Sequence, residues 1–129
     1  MNIKLPPNCF AFLNAELISA SNGVASVRFT PTEEMENPYG NIQGGILAGM
    51  IDNVLGPAVV SLAPDKPTAT IHMSVNFLGS VRANEPVIGT ARVVRYGRTQ
   101  IYLEAEMTRE SDGKLVLKAT ATNVLLDKK

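Results

Sequence analysis

The residue best suited to carry chemistry is Asp52, because it is the only charged side chain between residues 46 and 63. A carboxylate inside such an apolar stretch must be paired or neutralised, since burial of an unpaired charge is costly. Such a group is suited to act as a general base or as a nucleophile. The structural alternative is that Asp52 caps a local helix break or lies on a helix edge that water reaches.

A pair of glycines, Gly44-Gly45, stands just before the same apolar stretch. The first N–H groups of a helix are unpaired and lie at its positive dipole end, and glycines let a substrate approach them closely. Such amides polarise a carbonyl, and one good donor contributes about 3 kcal/mol to stabilising the oxyanion. The alternative is a glycine turn with no chemical role.

Helix geometry connects these two features. Asp52 lies seven residues after Gly45, which places both on one helix face about 10 Å apart at 1.5 Å per residue. A base and an oxyanion donor cannot share one carbonyl across that gap. Two such helices packed antiparallel about a two-fold axis would place the Asp of one beside the glycines of the other. If both features serve one site, we expect that site at a homodimer interface.

The apolar stretch itself, residues 46–63, is too long for a strand and favours a helix. It has almost no polar side chains, so we expect the helix to be enclosed on all sides. We expect Pro57 to kink or divide it. We also expect Asn8 to cap a short helix that runs through Leu13.

Strands are predicted from apolar residues that alternate with polar ones. Asn22-Gly23 suits a tight hairpin turn between the first two strands. Four of the predicted strands are 16–20, 24–30, 87–96 and 99–109. Two more are predicted from their apolar faces, one with Ile71, Met73, Val75 and Phe77 and the last with Leu115, Leu117, Ala119 and Ala121. We therefore expect an α+β fold in which one antiparallel sheet of about six strands wraps around one central helix, as a single domain over 1–129.

Composition excludes several classes of protein. Twelve Lys and Arg balance twelve Asp and Glu, which argues against a nucleic-acid partner because phosphate binding needs a basic excess. The single Cys9 and single His72 argue against a disulfide and against a protein-held metal. The longest apolar run is too short to span a membrane, and residues 1–7 have no signal-peptide core. We expect a soluble, cytoplasmic protein.

The loop and helix start read Asn37-Pro38-Tyr39-Gly40-Asn41-Ile42-Gln43-Gly44-Gly45, followed by Asp52-Asn53. This motif resembles the active-site signature of the hotdog-fold acyl-CoA thioesterases of the phenylacetate-type, or PaaI-like, group. The resemblance extends through 70–78 and 93–98 and covers most of the chain beyond residue 15. It implies a hotdog fold and hydrolysis of an aromatic or short-to-medium-chain acyl-CoA to the free acid and CoA, without a cofactor. We expect a homodimer with shared active sites, paired further as a dimer of dimers.

Carried over position by position, the resemblance implies that Asn37 and the Gly44 amide orient and polarise the thioester carbonyl. Asp52 of the partner subunit would activate water or attack directly, and Thr70 would help to place the water. An exposed strand threonine without a role is an equally good interpretation of Thr70. Gln43 stands where most of the group has His. Its amide can donate a hydrogen bond to the carbonyl or hold the loop, but it cannot exchange a proton near neutral pH.

The remaining candidates concern the substrate and the competing functions. Gly45 would contact the substrate, and Tyr39 and Phe77 would line an acyl pocket, although packing in the core or at an interface is the default interpretation of Phe77. Arg95 and Arg98 would meet the CoA phosphates unless they are ordinary solvated arginines. Gln43 motivates the main alternative, a non-catalytic hotdog protein that binds an acyl-CoA or acyl ligand. Dehydration of a 3-hydroxyacyl thioester is a weaker alternative, because it relies on a His, and His72 lies on a strand face.

Overall fold

A computed structural model describes residues 5–126. Residues 1–4, part of the segment 1–7 that is predicted to have no signal-peptide core, lie outside the described part. The elements in chain order are α1 (Asn8–Phe12), β1 (Ala15–Ser21), β2 (Val24–Phe29), a short 3-10 helix (Glu33–Met35), α2 (Gly44–Val60), β3 (Thr68–Phe77), β4 (Val87–Tyr96), β5 (Gln100–Arg109) and β6 (Leu115–Leu125). No helix in this part of the chain is both long enough and apolar enough to cross a membrane.

The six strands form one antiparallel sheet in the order β1-β2-β4-β5-β6-β3. Asn22 and Gly23 join β1 to β2 with φ angles of 53° and 81°, as predicted for the hairpin turn. The predicted α+β architecture is confirmed. Strands β1 and β3 are the two edges, and β3 has no strand on its outer side among residues 5–126.

Helix α2 covers one face of the sheet, called here the inner face. Alternation along β5 directs Ile101, Leu103, Ala105 and Met107 toward the helix, and all four are buried, as predicted. The opposite, outer face carries the polar members of the same strands and includes the ion pairs of Arg92 with Glu104 and of Lys118 with Glu106. The core therefore lies between α2 and the inner face.

The helix is covered on one side only. Leu47, Met50, Ile51, Val54 and Leu55 are among its buried residues and pack into the core. The opposite side has Gly45, Gly49, Asp52 and Gly56 at helical spacing, and a Cβ added at any of these three glycines would meet nothing within 4 Å. The expectation of a helix enclosed on all sides is therefore wrong for a single chain.

One expectation about a helix end is wrong, and one about a helix break is wrong in part. Pro57 lies inside a continuous helix and does not divide it, whereas a kink at Pro57 stays a prediction. Burial of the neighbouring Ala58 and Val59 offsets the one backbone hydrogen bond that a proline removes. Asn8 does not cap α1: it is the first helical residue, Pro7 precedes it, and no side chain caps this end.

Two register shifts reverse faces that simple alternation predicted. A bulge in β3 between Thr70 and His72 leaves Ile71 54% exposed and turns Thr70 toward the helix. A shift in the β5–β6 pairing leaves Leu115 exposed and buries Val116. One extra residue in one strand is enough to exchange its two faces.

The one-sided helix predicts a clear asymmetry in stability. Replacement of the fully buried Leu55 by Ala should lower the free energy of unfolding by about 2–5 kcal/mol, because a cavity is left in a packed core. Val60→Ala, on the exposed side, should change it by less than about 0.5 kcal/mol. Urea unfolding followed by circular dichroism measures both. Equal losses would contradict the described position of α2.

Candidate active site

The exposed side of α2 carries a hydrogen bond between the helix and the edge strand. Thr70 Oγ1 donates to Asp52 Oδ1 at 2.7 Å. Thr70 reaches the helix because the bulge that follows it turns its side chain inward. Asp52 is exposed, so the expectation of a buried carboxylate is wrong for the single chain, and the helix has no break for it to cap. Of the structural alternatives, the helix edge reached by water is the one observed.

The start of α2 presents free amides. The Gln43 carbonyl accepts from the N–H groups of Ile46 at 3.0 Å and Leu47 at 3.2 Å. The N–H groups of Gly44 and Gly45 precede the first carbonyl that could pair with them inside the helix, so they remain available to a ligand. A Cβ at residue 44 would lie 3.2 Å from Cζ of Phe77. Glycine at this position therefore lets the aromatic ring lie directly against the helix start.

The loop before α2 is organised by Asn37. Its Oδ1 accepts from the backbone N–H groups of Tyr39 at 2.9 Å and Asn41 at 3.1 Å. The Asn37 Nδ2 group makes no hydrogen bond within residues 5–126, so it can donate to a carbonyl. Tyr39 is 87% exposed at the tip of the same loop.

The structure brings the predicted residues together in two groups rather than one. Asn37, Gln43 and Gly44 lie at the start of α2, whereas Asp52 meets Thr70 eight residues further along the helix. Eight residues of α-helix span about 12 Å. Within one chain, the carboxylate and the free amides therefore do not face a common carbonyl.

Arg95 and Arg98 line a separate groove of about 590 Å³ at the β4–β5 turn, together with Val94, Gly97, Thr99, Gln100, Ile101, Tyr102 and Thr122. Tyr102 and Thr122 are cross-strand partners between buried neighbours, so the groove opens on the outer face of the sheet. Thr122 is also the partner of His72 on β3. His72 consequently belongs to the outer face, opposite to the side on which Thr70 meets Asp52.

Charged groups with shifted pKa values lie away from both groups. The hydrogen bond from Arg28 to Glu110, with that to Glu16, raises the pKa of the Arg28 guanidinium. The hydrogen bond from Arg109 lowers the pKa of the Asp112 carboxyl. Within residues 5–126, no three His, Cys, Asp or Glu side chains are grouped as a metal site would require. These ion pairs support the outer face and the β5–β6 turn.

Sequence reasoning missed one residue next to this site. Asn123 is the single buried polar residue among residues 5–126, and it is the cross-strand partner of Thr70. Its signal was present, because the buried series Leu117, Ala119 and Ala121 on β6 continues with an asparagine at the next inward position.

Comparisons with known proteins identify the family of this chain. A family model described as the thioesterase superfamily matches residues 39–116. An acyl-coenzyme A thioesterase 13 of Homo sapiens is 26% identical over 109 residues, which cover 84% of this chain and 78% of that protein.

Two solved structures have the same fold. A phenylacetic acid degradation-related protein of Ralstonia eutropha JMP134 superposes with a TM-score of 0.85 at 30% identity, covering 92% of this chain and 89% of that one. A hypothetical thioesterase protein of Streptococcus pneumoniae TIGR4, solved with coenzyme A, has a TM-score of 0.82 at 27% identity, covering 90% of this chain and 88% of that one. The predicted resemblance to the PaaI-like group is thereby confirmed. With more than half of its length matched, including Gly44 and Asp52, this chain belongs to the thioesterase superfamily and has the hotdog fold.

Proposed function

We propose that this protein hydrolyses an acyl-CoA to the free acid and CoA at sites shared between two copies of the chain. The observation that carries the proposal is the hydrogen bond from Thr70 to Asp52 on the open side of α2. A carboxylate held in this way is a fixed, acceptor-only group beside space that a substrate can enter. The name of the human relative and the coenzyme A bound to the pneumococcal structure support the same substrate class.

In the proposed reaction, the N–H of Gly44 and the Nδ2 group of Asn37 donate to the thioester oxygen. Asp52 takes a proton from a water molecule whose oxygen attacks the acyl carbon. The carbon–sulfur bond breaks, and the proton passes to the CoA sulfur. If Asp52 attacks directly instead, its oxygen displaces the CoA thiolate and forms an acyl anhydride. Water then opens the anhydride to the free acid and the Asp52 carboxylate, and the proton released passes to the CoA sulfur. Both routes need the same two donors and the same carboxylate.

A second copy is required because one helix holds the two groups about 12 Å apart. Position 48 is midway between Gly44 and Asp52, so two antiparallel helices would have to cross near Ala48 and Gly49. These small side chains permit that close approach. Edge strand β3 has Ile71 and Phe77 exposed along its length, and an unpaired edge of this kind is prone to pair with another chain. The further pairing into a dimer of dimers remains part of the same proposal.

We assign the groove at Arg95 and Arg98 to the phosphates of CoA. Guanidinium groups match phosphate oxygens in geometry and charge, and the groove adds hydroxyl donors from Thr99 and Thr122. Phe77, whose ring lies against Gly44, and Tyr39, exposed on the loop before α2, favour an aromatic or short-to-medium acyl group. A cytoplasmic location fits a chain whose one cysteine has no disulfide partner in it.

A non-catalytic acyl-ligand binding protein is the second candidate, favoured by Gln43, whose exposed amide cannot transfer a proton. Dehydration is the weaker alternative, because His72 faces away from Asp52. Purified protein supplied with a panel of acyl-CoA substrates and a free-thiol readout separates these functions. Binding without thiol release would favour the second candidate, and water loss from a 3-hydroxyacyl thioester would favour dehydration.

Asp52→Asn should lower kcat by about 10²–10⁴-fold, because the amide still accepts from Thr70 but cannot take a proton or attack. Free-thiol release from acyl-CoA measures the rate, and the elution volume of the variant checks its assembly. The matched control is Asp65→Asn, an exposed acid in the turn before β3, which should leave kcat unchanged. Near-normal turnover by Asp52→Asn would exclude the proposed mechanism.

Subunit mixing tests the shared site. Chains with Asp52→Ala and chains with Asn37→Ala should each be nearly inactive, but their heterodimer contains one site with every group intact. Equal mixing should recover about one quarter of wild-type activity, since half of the dimers are heterodimers with one working site of two. A mixture of Asp52→Ala with Asp52→Asn chains is the control and should recover nothing. Verified heterodimers without recovered activity would contradict a site built from two chains.

The arginine groove predicts an effect confined to the CoA part of the substrate. The Arg95→Gln and Arg98→Gln double variant should raise KM for acyl-CoA about tenfold or more, with kcat nearly unchanged. The reason is that contacts to the phosphates stabilise the bound substrate and the transition state equally. Hydrolysis of an N-acetylcysteamine thioester, which lacks phosphates, should not change. Lys114→Gln, at the β5–β6 turn at the other end of the sheet, is the control cation. An unchanged KM would remove the arginines from the binding site.

A further inference from the structure

The inner face of the sheet contains one polar island. Asn123 on β6 is 1% exposed and has Thr70 of β3 on one side and Ile101 of β5 on the other. Thr68 completes the island. The rest of the buried inner face is apolar, so these three polar side chains stand out as a group beside the carboxylate of Asp52.

Hydrogen bonds define the orientation of the Asn123 amide. Its Nδ2 group donates to Thr68 Oγ1 at 3.2 Å, and Thr68 Oγ1 donates in turn to the Val124 carbonyl at 3.0 Å. The lone pairs of the Thr68 hydroxyl therefore face the amide, which fixes the nitrogen on that side. Asn123 Oδ1 is then left buried without a hydrogen-bond donor among residues 5–126.

A buried acceptor without a donor destabilises a fold, and an apolar side chain of similar size would avoid that cost. Asparagine at this position is therefore explained poorly by stability alone. Its position is informative, because directly opposed residues in antiparallel strands have Cβ atoms about 4.5–5.5 Å apart. The Thr70 hydroxyl is thus within reach of Asn123 Oδ1, directly or through one water molecule.

We propose that Asn123 is a positioning residue for the Thr70–Asp52 pair. Its side-chain carbonyl accepts a hydrogen bond from the Thr70 hydroxyl while Asp52 is protonated. This inference rests on the proposed function, in its general-base form. In the resting site the Thr70 hydroxyl donates to the Asp52 carboxylate. Once Asp52 has taken the proton of the attacking water, it becomes a donor and can donate to Thr70 Oγ1.

At that moment the Thr70 proton needs another acceptor, and Asn123 Oδ1 supplies one. No proton leaves Thr70, and no bond other than hydrogen bonds changes in this step. The proton on Asp52 then passes to the CoA sulfur, and the Thr70 hydroxyl returns to the carboxylate. The amide therefore stabilises the protonated state of Asp52 that occurs only during the reaction, and its effect belongs to kcat rather than to KM.

Two matched substitutions test this role. The valine and threonine side chains of Asn123→Val and Asn123→Thr have nearly the same shape, and both suit a strand. Only the threonine retains an oxygen that can accept a hydrogen bond. Asn123→Val should lower kcat about tenfold with KM within about twofold, the effect of one ordinary hydrogen bond. Asn123→Thr should recover much of that loss. Urea unfolding should show Asn123→Val to be folded, with stability equal to or above that of Asn123→Thr.

A double-mutant cycle separates this role from general damage to the fold. If Asn123 acts through Thr70, then Asn123→Val should lower kcat no further in a Thr70→Val background. If the kcat losses of the two single variants multiply in the double variant, or if Asn123→Val and Asn123→Thr have equal rates, the inference is overturned. The proposed function still stands in that case, provided that the wild type is active and its activity depends on Asp52. A wild-type protein without thioester hydrolysis would remove both.

Discussion

The hydrogen bond between Thr70 and Asp52 is the contact on which the site depends. It joins the open side of α2 to the edge strand β3, two elements that otherwise meet through apolar packing. Hydrogen bonds to a carboxylate are shorter and stronger than those between neutral groups. The one between Thr70 and Asp52 forms only because a bulge turns Thr70 inward. The bulge therefore places the hydroxyl, the hydroxyl orients the carboxylate, and the carboxylate occupies the side of α2 that its own sheet leaves uncovered.

The fixed rise of an α-helix imposes the second constraint. The backbone positions of Gly44 and Asp52 are held about 12 Å apart within α2, a gap that the short side chain of Asp52 cannot close. The sheet covers the apolar side of the helix, and the glycine-rich side remains open. A fold that places its carboxylate and its free amides on one rigid rod, and covers only the opposite side, is complete as a structure but incomplete as the proposed site. In the proposed dimer, a second copy would cover the open side of α2 and complete the site.

Periodicity in the sequence is sufficient to predict the α+β class, the single long helix, the six strands and the Asn22-Gly23 hairpin, because each depends on local spacing or local backbone geometry. The failures involve pairing between distant segments. Ile71 and Leu115 fit the alternation of their own strands, but bulges against β6 and β5 reverse them. Asp52 looked buried because the sequence shows that its neighbours are apolar, not which side of the helix the sheet covers. The partners of Thr70 and Asn123 follow from register, which no local pattern contains.

The glutamine that replaces the usual histidine is easier to accommodate once backbone and side-chain roles are separated. Gln43 starts α2 through its carbonyl, which accepts from Ile46 and Leu47, and any residue can provide that group. Its side chain is exposed and makes no capping bond. In the proposed reaction the proton moves through Asp52, and the carbonyl is polarised by Gly44 and its neighbours. An imidazole at position 43 would add a further donor to that end of the site, but the proposed proton path does not pass through it.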